Sequence, residues 1–123
     1  MTAALAILPA AAHHSVHGTY DDTALVTITG MVSSTQWRNP HAVFVLEVAD
    51  AVNAPAFWSI EIGAPSSLAR LGLSRDFLVE GDRVTLEVWA ARNGTRSAYA
   101  RSISLADGRR IDLPVEVWME AGI

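Results

Sequence analysis

Four histidines are all that the chain carries, and their placement is its most chemical feature. His13, His14 and His17 fall within five positions near the start, and His41 closes the run Gln36-Trp37-Arg38-Asn39-Pro40-His41. Neutral imidazole suits copper, nickel and zinc, so these four residues are the candidate metal ligands. Removal of residues through Ala12 would make His13 the first residue, whose free amine and ring chelate one ion together. Removal one residue earlier puts His14 third, the arrangement that binds copper or nickel through the amine, backbone amides and imidazole. Copper is the first choice, because no cysteine is present to favour a zinc thiolate site. The simpler reading is a solvated tail and a His41 that donates to a carbonyl and locks the turn after Pro40.

The segment from Ser15 to Thr23 is long enough, at roughly 3.3 Å per residue, to carry the histidines back across a small barrel towards His41. It contains Tyr20 and the pair Asp21-Asp22, and an aspartate there is a candidate hydrogen-bond partner for an imidazole N–H. A second set of residues suggests a bound ligand. Trp37 and Trp58 offer stacking faces, Asn39 an amide at a corner that Pro40 helps to fix, and Glu61 a carboxylate between Ile60 and Ile62. Each has a plainer role available: rim and core packing for the tryptophans, the solvent face of a strand for Glu61. Arg38 and Arg101 would answer an anionic ligand.

The elements that must position these residues read as strands. Leu25 to Ser34 alternates, with Val26, Ile28 and Val32 on one face, and Gly30 inside it marks a bulge or a tight bend. Ala42 to Ala49 alternates Ala42, Phe44, Leu46 and Val48 against Val43, Val45 and Glu47. Phe57 to Ile62 sets Trp58, Ile60 and Ile62 against Phe57, Ser59 and Glu61. Pro65, Ser66 and Ser67 then suit a helix start, with Leu68 and Leu71 on its inner face and Gly72 at its end. Arg83 to Ala91 is a fourth strand with Val84, Leu86 and Val88 inward, Asn93-Gly94 a hairpin signal, and Ser97 to Leu105 a fifth. After a turn at Asp107-Gly108, Ile111 to Met119 is a last extended segment. Three strands, one short helix and two more strands is the order of an all-β, five-stranded Greek-key barrel like the OB-fold, with the helix between strands three and four.

The chain has 123 residues, half of them apolar, which is enough for one domain with its own core. The net charge is −4 and the nine cationic residues, all arginine, form no run, which argues against a nucleic-acid partner. Met1 to Ala12 is apolar and rich in small residues and ends in three alanines, fitting a signal-peptide remnant without its basic start; it is too short to span a bilayer. Residues 13–123 would then form the barrel domain, in the periplasm or outside the cell.

Taken together, the residues resemble a family of small exported bacterial proteins of unknown function. The likeness is carried by a His13-His14-Ser15 start, the Trp37-Arg38-Asn39-Pro40-His41 corner and Trp58-Ser59-Ile60-Glu61. It continues through Gly63-Ala64-Pro65-Ser66-Ser67-Leu68, Leu71-Gly72, Gly81-Asp82-Arg83-Val84 and Asp107-Gly108-Arg109. It spans His13 to about Ile111 and departs at both ends, where the signal is abbreviated and Pro114 to Ile123 has no counterpart. The resemblance implies export and a barrel, and it supplies no catalytic residues.

No nucleophile with its base, glycine-rich phosphate loop or paired carboxylates with a common site is visible, so an enzyme is the third reading. Two others stand ahead of it. One is a periplasmic copper-binding accessory protein using the N-terminal histidines and His41. The other is a metal-independent OB-fold module that binds a small molecule or a periplasmic partner protein on its strand-two and strand-three face.

Overall fold

A computed structural model describes residues 18–49 and 54–113. Its elements are β1 (Val26–Gln36), β2 (Ala42–Ala49), β3 (Pro55–Gly63), α1 (Pro65–Arg70), β4 (Arg83–Ala90), β5 (Ser97–Leu105) and β6 (Arg110–Asp112). The strands lie in the order β3-β2-β1-β4-β5-β6, and a parallel pairing of β3 with β5, at Ser59–Glu61 against Ser97–Tyr99, closes the first five into a barrel. Closure removes most of the open edge that a curled sheet would expose. The architecture is the all-β, OB-fold-like barrel with one short helix between β3 and β4. Among the described residues no helix is long and apolar enough to cross a membrane.

β1 serves two neighbours in succession. Val26 to Met31 pair with β4, Met31 to Gln36 pair with β2, and the register slips between Val32 and Ser34. That irregularity lets the strand bend and run on to Gln36, beyond the point where its alternation fades. Gly30 stands at the hand-over. A Cβ there would run into the Glu47 carbonyl oxygen and lie 2.9 Å from Leu46 Cγ, so β1 approaches β2 closely only because the residue has no side chain. Gly30→Ala should therefore lower stability by about 1–3 kcal/mol in urea denaturation. A variant as stable as the parent would show that the strands separate at no cost.

The interior is filled as the alternation predicts. Val32, Phe44, Leu46, Ile60, Val84, Leu86 and Val88 are buried in one core, and Ile28, Trp58 and Val48 pack against it half-buried. Val26 is the exception, 45% exposed rather than in the core. It is the first residue of β1 and is paired with β4 alone, so no second strand covers its side.

α1 brings Leu68 into the core with no exposed surface, and Pro65 opens the helix where its missing N–H costs nothing. Leu71, expected on the same inner face, is 49% exposed. The reason is the stop. Gly72, at φ +80°, donates to the Ala69 carbonyl at 2.9 Å and Leu73 donates to the Leu68 carbonyl at 3.0 Å, the two bonds of a Schellman ending. The chain therefore reverses at Leu71, and Leu73 packs inward instead. Residues 74–79 form turns and bends, and Leu78 is buried there. The final extended segment contributes β6 and a buried Leu113; its remainder, from Pro114, lies outside the described residues.

Candidate functional site

The site begins with the alternation of β5. Ala98 and Ala100 face the core, so Tyr99 between them faces out of the barrel, yet it has no exposed surface. Three rings cover it. Trp89 of β4 stacks on it at a centroid separation of 6.4 Å, Tyr20 tilts against it at 6.0 Å, and His41 meets it edge-on at 6.1 Å. Aromatic pairs in these arrangements gain from the ring quadrupoles as well as from burial.

Tyr20 belongs to the segment that leads into β1, which is pinned to the end of β4. Tyr20 bridges Ala91, the Asp21 N–H donates to the Ala90 carbonyl at 2.9 Å, and the Arg92 N–H donates to the Thr19 carbonyl at 2.8 Å. Asp21 accepts from the Thr23 N–H at 3.0 Å and hydroxyl at 2.6 Å, and Asp22 lies 3.6 Å from the Arg92 guanidinium. Both aspartates thus hold this arm in place. The hydrogen bonds from Thr23 hold the Asp21 carboxyl below the usual carboxylate range.

Glu61 sits beside this cluster, with Val43 of β2 opposite it on one side and Tyr99 of β5 on the other. The β2–β3 register slips between Ala42 and Val43, at the place where His41 enters β2. His41 Nδ1 lies 3.5 Å from Glu61 Oε2, with side chains 14% and 31% exposed. The Tyr20 hydroxyl hydrogen-bonds to the same carboxylate; burial first, then the Glu61 charge and this hydrogen bond, push the phenol far above its ordinary range, so it is a neutral donor. Chemically this is an imidazole and a carboxylate on the barrel wall, backed by buried rings and open on one side. An ion with bonds of about 2.0–2.2 Å reaches both atoms at once.

The model of a family of unknown function, DUF6152, matches residues 2–100. The chain belongs to this family. No curated protein and no solved structure matches it. The stretch of the chain that matches DUF6152 contains every residue of the cluster just described: Tyr20, His41, Glu61, Trp89 and Tyr99.

The remaining candidates of this DUF6152 member are dispersed. Trp37 packs edge-on against Phe77 at 6.0 Å and rests on the main core. Trp58, opposite Leu46, also rests on that core, and Asn39 is exposed, before a cis bond to Pro40. Arg38 is exposed and Arg101 half-buried on β5. Of the residues proposed from sequence, the fold unites His41 and Glu61. Among the described residues no group of three or more His, Cys, Asp or Glu is placed to hold an ion. His13, His14 and His17, and the Met1 to Ala12 stretch expected to be a signal-peptide remnant, lie outside the described residues. The sequence reading overlooked Tyr99 and Trp89. An outward tyrosine between two inward alanines was the available signal.

Proposed function

We propose that this protein is an exported, periplasmic metal-binding protein, with copper as its ion, whose site joins His41 and Glu61 on the barrel wall to the histidines of the N-terminal segment. The observation that supports it is the docking of Tyr20 beside that pair. His17 precedes Tyr20 by three residues and is tethered within about 11 Å of it; His14 and His13 are tethered within roughly 25 Å. A third and fourth ligand thus come from the stretch of chain that the barrel anchors next to the first two. Neutral imidazoles, a terminal amine and a carboxylate form a donor set that suits a divalent first-row metal. Export is supported by the apolar Met1–Ala12 stretch, whose alanines end where the histidines begin.

The test is a copper(II) titration of the secreted protein, its first residue fixed as Ala12 or His13 by intact mass, in competition with a chelator. The expected result is one ion per chain, bound at least tenfold more tightly than by a synthetic peptide of residues 12–20, since the peptide lacks the barrel's ligands. Equal affinities would leave a tail chelator and end the proposal. A second reading, a metal-independent binding module, is favoured by an open groove of about 340 Å³ between Thr29, Met31, Glu47, Pro55 and Arg83.

A further inference from the structure

We infer that Trp37, Arg75, Asp76 and Thr35 form a binding site for a neutral saccharide whose pyranose rings carry equatorial hydroxyls. The inference is independent of the proposed metal site, in which none of these residues takes part. Trp37 stands in the corner between β1 and β2, and with Thr35 it meets the segment joining α1 to β4 at an open cleft of about 330 Å³ lined by these four residues. That volume falls in the lower range of small-molecule sites.

The barrel holds both walls of the cleft. Trp37 is half-buried, rests on the main core and packs edge-on against Phe77 at 6.0 Å, and its remaining surface lines the cleft. Arg75 and Asp76 are the two central residues of a turn that the Phe77 N–H closes by donating to the Ser74 carbonyl at 3.0 Å. Phe77 packs on the core and Leu78 lies within it, so the turn is anchored beside the indole. A site fixed in this way asks little ordering of itself when a ligand arrives.

The donor set decides the class of ligand. A guanidinium only donates hydrogen bonds, a carboxylate only accepts them, and a hydroxyl such as that of Thr35 does both. Among the described residues Arg75 and Asp76 have neither an ion pair nor a side-chain hydrogen bond, which leaves both groups to a ligand. An anion would be drawn to Arg75 and repelled by the neighbouring Asp76, and a cation would meet the reverse. Sugar hydroxyls, which donate and accept, satisfy both residues at once. Where those hydroxyls are equatorial, the ring faces present C–H groups, and such a flat apolar face suits an indole.

The experiment follows the Trp37 indole N–H by NMR while cellotetraose or chitotetraose is added to the full chain, with tetragalacturonate as the anionic comparison. The signal is assigned by its loss in Trp37→Leu. The expected result is a saturable shift with at least one of the neutral saccharides, its affinity changing less than about twofold between low and high salt. Arg75→Ala and Asp76→Ala, both at an exposed turn, should each weaken binding by about tenfold, and Trp37→Leu should abolish it. Thermal unfolding measures what Trp37→Leu costs the fold, and the two turn variants decide the matter whatever that cost is. Binding that survives in both turn variants would place the saccharide elsewhere on the barrel. Preferential, salt-sensitive binding of tetragalacturonate would make Arg75 an anion site. Either result, or no shift with either neutral saccharide, overturns the inference and leaves the copper titration untouched.

Discussion

Replacing His41 by alanine should lower the copper(II) affinity of the mature protein by about a hundredfold, close to 2.8 kcal/mol, without unfolding the barrel. His41 precedes the first residue of β2 and its side chain lies against the outside of Tyr99, apart from the main core, so its removal opens a surface cleft rather than a cavity. The residual binding is that of the N-terminal amine and imidazoles with Glu61, and it should fall towards, but not below, the affinity of the isolated 12–20 peptide. Thermal unfolding without metal measures the structural cost, and the chelator competition measures the functional one. A His41→Ala protein that keeps the parent's affinity would remove this residue from the site.

The largest expected effect on stability lies inside the barrel. Leu86 has no exposed surface and stands in register between Ile28 of β1 and Ile103 of β5. Leu86→Ala should cost about 2–5 kcal/mol, because the lost transfer energy is joined by a cavity that two paired strands cannot collapse to fill. Val26→Ala, two residues before Ile28 on β1, should stay within about 0.5 kcal/mol, since that side chain is 45% exposed. Chemical denaturation of the two variants beside the parent checks both values. A small loss at Leu86 would mean that the core is plastic enough to refill.

The barrel was legible because strands such as β2 and β4 alternate regularly and send one apolar face into the core. β5 coincides with the expected Ser97–Leu105, and β4 with the expected segment to within a residue. The errors fall where a local rule met a second constraint. Leu71 had the right helical spacing but stands where the Schellman ending reverses the chain, and Val26 had the right phase but stands beyond the last covering strand. Half of the candidate site was legible too, in that His41 and Glu61 each stood out by type. Their meeting was not, since it depends on the β2–β3 register slip, and no alternation pattern records which residue a slip will skip. Trp89 and Tyr99 are register partners in the β4–β5 hairpin, but Tyr20 joins them through an arm laid across the end of β4, and Glu61 through the parallel β3–β5 seam, contacts between segments far apart in sequence.

The pinned arm has a consequence in terms of effective concentration. A ligand free in solution must be captured at whatever concentration the compartment offers, whereas a ligand carried three residues upstream of Tyr20, as proposed for His17, would be tethered within about 11 Å of that residue. Tethers of that length correspond to effective concentrations on the order of millimolar. In the proposed metal site the Thr19–Asp21 hydrogen bonds to the end of β4 would be the fixed end of an intramolecular chelate. If the proposed site holds, the length of chain between Tyr20 and the first residue of the processed protein would set how strongly the terminal amine takes part, and the position of cleavage would tune affinity without altering any residue of the barrel.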